Sequence, residues 1–309
     1  MKKQNKQIGE LLELKKFLVK PGKKVSLKDF DTGFKGEKKV AGRKMDKEFS
    51  HELLARGIER LAAMQDKLYA HNEYSVLIVL QAMDTAGKDG AIRHVCSGLN
   101  PQGVKVASFK APNSQELDHD YFWRHYKELP ERGQIGIFNR SHYENVIVTK
   151  VHPEFILNEG LPDVNSLKDI NDKFWEKRYR QINNFERTLY ENGTIILKFF
   201  LHLSKDEQKR RLISRIDDDK KNWKFSPADM KERGFWNDYQ KAFEDMLSNT
   251  STDYAPWHVL PADDKWYTRV AIAGAIYLEF ERLNFQYPKV SEEQKKKLQE
   301  LKKQLLGEK

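Results

Sequence analysis

From Asp46 to about His71 the apolar residues Leu54, Ile58, Leu61, Met64 and Leu68 fall three or four positions apart, the spacing that gathers them on one face of a helix. The pattern then changes. "SVLIVL" (75–80) is an unbroken apolar run, as a strand covered on both faces requires. "AIRHVCSGL" (91–99) reads as a helix, "VKVASF" (104–109) as a second strand and "QIGIFN" (134–139) as a third. Between the last two, "SQELDHDYFWRHYKEL" (114–129) reads as a helix starting from a serine cap. A helical region over roughly 165–191 is closed by Asn192-Gly193, and "TIILKFFLHL" (194–203) and "WHVLPAD" (257–263) supply two further strands. Strands separated by helices predict an α/β fold whose central parallel sheet, of about five strands, lies between two helical layers.

Composition adds bounds. A chain of 309 residues, 39% hydrophobic, suffices for one large domain with additions. The single cysteine, Cys96, excludes an internal disulfide and suits a reducing cytosol. The lysine-rich start has no apolar core of the kind a secretion signal carries, and no segment approaches the ~20 apolar residues of a membrane span. A cytoplasmic chain without membrane contact is expected. The net charge of +9 is unevenly placed: residues 1–50 carry 15 Lys and Arg against 7 Asp and Glu, the tail 291–309 carries 6 against 4, and the remainder carries 34 against 35. A neutral body argues against a nucleic-acid footprint across a whole face. The basic arm reads either as a solvated extension or as a segment that attracts a polyanion or packs on a partner subunit.

The chemistry lies where the first strand ends. "AMDTAGKDG" (82–90) approaches the phosphate-binding pattern G-x-x-x-x-G-K-[ST], with Ala82 for the first glycine and Asp89 for the hydroxyl residue that usually holds magnesium. Between a buried strand and a helix, such a loop aims backbone N–H groups at an anion. Gly87 permits the tight turn and Lys88 supplies mobile positive charge. Asp84 is the first candidate for the missing metal ligand; Asp89 reads equally as a ligand or as a helix cap. A second stretch, "GQIGIFNRSHYENV" (133–146), places Asn139 at a strand end where phosphoryl-transfer enzymes carry a metal-binding acid, and Arg140 beside it. His142, Tyr143 and Glu144 read as structural or catalytic. In a third stretch Arg210, Arg211 and Arg215 follow the fourth strand, and Arg211 and Arg215 share one helical face, as a two-pronged phosphate clamp would.

Taken together these stretches resemble the family-2 polyphosphate kinases. "MDTAGKDG" is similar to that family's Walker A loop, "GIFNRSHYENV" to its Walker B region, "LSKDEQKRRLISRIDDDKKNWKFS" to its lid and "TSTDYAPWHVLPADDKWYTRVAI" (250–272) to its C-terminal stretch, over roughly 45–285. The form "FNRSH" is similar to the subgroup called class III, whose members accept both AMP and ADP; Asn145 stands where that subgroup often has aspartate. The resemblance implies a P-loop kinase-like three-layer α/β/α fold with a helical lid (about 205–235) in a domain over 46–287, flanked by a basic extension (1–45) and a charged C-terminal helix (288–309). It implies reversible phosphoryl transfer from inorganic polyphosphate to AMP or ADP, making ADP or ATP, with Mg²⁺ or Mn²⁺, in a homodimer or homotetramer. Asp84, Lys88, Asn139 and Arg140 are then the catalytic candidates, with Asp84 on the metal. Met83, Thr85, Ala86, Gly87, Asp89, Gly90, Glu144, Asn145, Arg178, Arg211 and Arg215 are candidates for phosphate or nucleotide contact. The alternative is an ATP-dependent kinase of the same fold.

Overall fold

A computed structural model of the chain describes residues 12–37 and 43–308. Strands β1 (Ser75–Ala82), β2 (Val104–Ser108), β3 (Ile135–Asn139), β4 (Thr194–His202) and β5 (Trp257–Pro261) form one parallel sheet in the order β2-β3-β1-β4-β5. Parallel neighbours require crossover connections, and the helices that make them cover both faces. Alternation along β1 divides the core: Val76, Ile78 and Leu80 face α1 (Lys47–His71), α2 (Lys88–Val95) and α8 (Lys265–Leu283). Leu77 and Val79 face α3 (Glu144–Val151), α4 (Asp172–Glu191) and α7 (Trp236–Thr250). The order changes direction around β1, so the chain leaves a crevice beyond the carboxyl ends of β1 and β3, where such sheets bind ligands. Over that end lie α5 (Lys205–Ile216) and α6 (Pro227–Gly234), while α9 (Glu292–Gly307) is exposed along its whole length. Among the described residues no helix is long and apolar enough to cross a membrane.

Three local expectations need correction. The 91–99 helix starts earlier and stops earlier, as α2, because Gly87 in a left-handed conformation (φ 104°) lets the helix begin at Lys88. The stretch 114–129 is not one helix but two single turns, Ser114–Leu117 and Trp123–Tyr126. Asn113, rather than the serine, caps the first turn reciprocally with Glu116, and Asp120 Oδ1 accepts from the Phe122 N–H at 2.9 Å, a local bond that competes with helix continuation. That break turns Phe122 onto Phe185 of α4, ring centroids 4.5 Å apart. The region 165–191 holds a single 3-10 turn, Leu167–Asp169, and becomes α-helical from Asp172, where Asn171 accepts from the amides of Lys173 and Phe174.

The solvated reading of the basic arm does not hold for residues 12–37. Leu12, Leu14 and Phe17 enter one core and Val19, Val25 and Leu27 the other, while the Val19 N–H donates to Trp257 O at 2.9 Å. This segment therefore wraps the β5 edge of the sheet and leaves its lysines outside, one way to protect an edge from pairing. Residues 1–11 and 38–42, also part of the arm, lie outside the described residues.

Candidate active site

The loop after β1 runs from Met83 to Gly87 into the N-terminus of α2, whose first amides have no helical acceptor and face the crevice. Thr85 takes a left-handed φ of 66°, uncommon for a β-branched residue. What holds it is Arg211, from α5. Its Nη1 donates to the carbonyls of Thr85 and Ala86, both at 3.0 Å, its Nη2 to those of Ala262 (2.6 Å) and Asp263 (2.9 Å), and its Nε to Glu207 Oε1 at 2.7 Å. All five guanidinium donors are thereby spent within the protein. Arg211 is buried, so the expected two-pronged clamp is corrected: one prong holds the loop's carbonyls.

Lys88 Nζ donates to Ala82 O at 2.9 Å, across the loop it follows. Burial lowers its pKa; Asp84, Glu144 and Asp89 oppose that, and Arg140 adds to it. Asp84 is half-exposed rather than buried in the turn, and its Oδ1 accepts from Arg140 Nη2 at 3.1 Å. Asn139 closes the arrangement by donating Nδ2 to Asp89 Oδ1 at 2.7 Å. Asp89 thus answers β3, and the helix start has no side-chain cap. Met83 is buried, its carbonyl accepting the Ala86 N–H at 3.3 Å, and an added Cβ at Gly90 would meet Arg269 Nη2 at 3.6 Å. Hence Met83, Thr85, Ala86, Gly87, Asp89 and Gly90 all lie on the loop or the helix start beside it.

Arg140 is also left-handed, with φ 62°. Behind it lies a dry polar network: Glu186 Oε1 accepts from Tyr143 Oη (2.6 Å) and His142 Nε2 (3.2 Å). Lys198 Nζ donates to Glu186 Oε2 (2.6 Å), Tyr143 Oη (2.8 Å) and Thr250 O (2.6 Å). These side chains are fully buried. Burial lowers the His142 pKa despite Glu186, so a neutral imidazole donates from Nε2. His142 and Tyr143 anchor the turn that carries Arg140, a structural task. Glu144 instead belongs to the site: burial raises its pKa, opposed by Arg140 and Lys88.

Two expected contacts are not brought to the loop. Arg178 pairs with Glu159 and lies over the rings of Tyr121 and Phe174, at 4.4 and 5.0 Å, none of which belongs to the loop, the β3 turn or the lid. Asn145 Nδ2 donates to His142 O at 3.1 Å, a bond within its own helix start. Arg215 does face the lid interior, its Nη1 3.3 Å from Asp229 Oδ2 of α6. Asp229 and Gln208 escaped sequence reading. Gln208 Nε2 donates to Asp84 O at 3.2 Å and its Oε1 accepts from Arg233 at 2.6 Å, which links both lid helices to the loop. The Asp229 pKa is raised by burial and then by Asp84, two carboxylates facing one site. The local signal at Asp229 is a capping box with Ser226, which marks a helix start, not a site. A cavity of about 940 Å³ opens at the opposite end of the sheet, by Tyr74, Thr194 and Leu283, and shares no residue with this crevice.

A strand, a glycine-closed loop, a lysine at the helix start and an arginine from the neighbouring strand make an anion cradle of the kind that phosphoryl-transfer enzymes carry. Residues 44–288 match the family Polyphosphate kinase 2. The chain belongs to that family. It is 48% identical over 295 residues to an ADP-polyphosphate phosphotransferase of Rhodopseudomonas palustris, covering 96% of this chain and 99% of the relative. It is 44% identical to an AMP/ADP-polyphosphate phosphotransferase of Meiothermus ruber, over 89% of this chain and 96% of that one. The crystal structure of Polyphosphate Kinase 2 from Arthrobacter aurescens superposes with a TM-score of 0.77 at 40% identity, covering 88% of this chain and 91% of that one. The P-loop kinase-like architecture expected from the motifs is thus the observed one.

Proposed function

We propose that this kinase transfers the terminal phosphoryl group of inorganic polyphosphate to AMP and ADP, reversibly, in the presence of Mg²⁺ or Mn²⁺. The observation that carries the reading is the cradle: Lys88, Arg140 and the loop amides converge on one crevice with a half-exposed Asp84 at its edge. An acceptor phosphate oxygen attacks the terminal phosphorus of the chain, the bond to the next bridging oxygen breaks, and the chain leaves one phosphate shorter. The protein's part is to align the reactants and neutralise charge on the moving group. Lys88 and the amides hold the transferring group, Arg140 bridges toward Asp84, and Arg215 meets the donor from the lid. The donor set fits a hard divalent cation: among the described residues no group of three or more His, Cys, Asp or Glu gathers as a metal cage, and Mg²⁺ is commonly held by one or two carboxylates together with substrate phosphates. Asp84 would hold it, and when bound the metal supplies charge neutralisation between donor and acceptor.

In this reading the catalytic domain spans 46–287, with the lid at about 205–235, and the protein works in the cytoplasm. Self-association into a dimer or tetramer is supported by Leu298, Leu301 and Leu305, which share one exposed face of α9. The deciding experiment supplies AMP or ADP, Mg²⁺ and long-chain polyphosphate without ATP, and follows new ADP and ATP by chromatography. Product is expected. Phosphorylation of a substrate that requires ATP and ignores polyphosphate would replace the reading with an ATP-dependent kinase.

A further inference from the structure

The cavity of about 940 Å³ at the far end of the sheet takes no part in the chemistry above. The N-terminal segment that wraps β5 gives it Leu14 and Leu18, the end of α8 gives Leu278 and Leu283, and Tyr190 and Tyr254 add two rings. It is an open groove, with Leu18 and Tyr190 exposed. Apolar side chains gathered in solvent at one place mark a contact surface. The charges around it lean one way, Glu191, Asp253 and Glu279 against Lys15 and Arg282. Arg282 pairs with Glu279, and among the described residues no cation pairs with Glu191 or Asp253.

The chain carries a second apolar surface without a cover. Leu298, Leu301 and Leu305 form one exposed stripe along α9. Every residue of that helix is exposed, so it does not lie in its own groove. A helix of 16 residues is little longer than those that are marginal alone in water, and an apolar face gains most of its stability by packing. Its charge is the reverse of the groove's, with five lysines against three glutamates over Glu292–Gly307. Lys302, four residues from Leu298, borders the stripe. The two surfaces are also close in the chain. Leu283 ends α8 on the groove, and Phe285 packs on Tyr74, another lining residue, with ring centroids 5.9 Å apart. The connection 286–291 then spans at most ~20 Å, which keeps the start of α9 near the rim.

We propose that α9 of one copy lays its leucine stripe in this groove of a second copy, and that the second copy returns the contact. The inference rests on the self-association reading above and adds which two surfaces meet. Because each α9 starts beside the groove it leaves empty, a two-fold axis at that rim makes one docking generate the other. The leucines supply the affinity, while surplus lysine on the helix against surplus acid on the rim favours this pairing over two like-charged helices together. The groove shares no residue with the catalytic crevice, so both crevices of the pair stay open to substrate.

Sedimentation equilibrium of the full chain tests it with a helix variant, Leu301→Glu/Leu305→Glu, and a groove variant, Leu18→Glu/Tyr190→Glu. All four side chains are exposed, and circular dichroism reports folding. Each variant is expected to show half the wild-type mass, its dissociation constant raised at least ~100-fold, about 10-fold for each apolar side chain lost. Mixed in equal amounts, the two should associate again, since one brings an intact groove and the other an intact helix. If the groove variant keeps the wild-type mass while the helix variant loses it, the leucine stripes pair with each other and the groove docking is wrong. If both keep it, another surface holds the copies together and the docking is again wrong. Should the groove variant fail to fold, a charge exchange decides: Glu191→Lys/Asp253→Lys and Lys302→Glu/Lys303→Glu should each weaken association, and their combination in one chain should restore it. Absence of that rescue overturns the docking. A wild type that stays monomeric overturns the self-association reading as well, and leaves phosphoryl transfer to its own assay.

Discussion

The phosphate loop and the outer lid face the same crevice, yet they commit their cations in different ways. At the loop, Arg211 is bonded to four backbone carbonyls, partners that no substrate can replace. One turn further along α5, Arg215 is bonded to a single carboxylate, Asp229, at 3.3 Å. A carboxylate can be exchanged for a phosphate, because both are planar or tetrahedral arrays of anionic oxygens that accept from the same fork. The loop is thus preorganised and the lid is exchangeable. Spacing on a helix says that two arginines share a face; it does not say which of them meets a backbone.

If the loop is the fixed half, disturbing its chemistry should have the largest effects. Chelating divalent metal is expected to abolish transfer while the melting temperature stays put, since no described cluster of ligands needs metal to fold. Full turnover in excess EDTA, followed by ATP production, would remove the metal from the reading. Next come Lys88→Ala and Asp84→Asn, each expected to lower kcat by ~100-fold or more, the scale of removing one charge-stabilising group. Either variant turning over at the wild-type rate would take the loop out of the mechanism.

Legibility in the chain followed the same division. Strands β1 to β5 were visible as apolar runs within one or two residues, because buried parallel strands leave little ambiguity. The loop was visible because Gly87 and Lys88 come between a strand and a helix start. The destination of Arg211 was not, since it depends on where β5 ends against α5, a tertiary fact. Nor was the task of His142 and Tyr143, whose partners Glu186 and Lys198 lie 43 to 55 positions away in sequence. Asp229 stayed hidden for a related reason: it becomes a site residue only when α6 lies over the loop. The 114–129 misreading was local in origin, because helix-like spacing concealed an asparagine cap and an aspartate turn.

Arg211 offers a sharper cut between the halves. Arg211→Ala leaves four carbonyls, two buried and two partly buried, short of a donor and is expected to destabilise the fold by about 3 kcal/mol, the lower end for breaking a buried charged network, and to lower kcat with it. Arg211→Lys should not rescue either quantity, because an ammonium cannot reproduce a planar five-donor fork. Melting curves and kcat measured together check this. A variant of normal stability with only a raised polyphosphate KM would restore the clamp and erase the distinction.

The exchangeable half predicts smaller effects, with a sign that separates two roles for the lid acid. Arg215→Ala should raise the KM for polyphosphate by about 10-fold with little change for ADP, one charge-assisted contact being lost. Asp229→Asn is the subtler change. Its carboxylate neutralises Arg215 and faces Asp84, so removing the charge frees a cation and relieves repulsion of an incoming anion. The polyphosphate KM should therefore fall, by about 2- to 5-fold at low ionic strength, the range of a partly exposed pair, and the gain should fade as salt is added. Steady-state kinetics at two salt concentrations, with polyphosphate varied at saturating ADP, measures both. A KM that rises instead, together with a higher requirement for Mg²⁺, would mean that Asp229 joins Asp84 on the metal when the lid is down, and the outer lid would then belong with the loop as part of the fixed machinery.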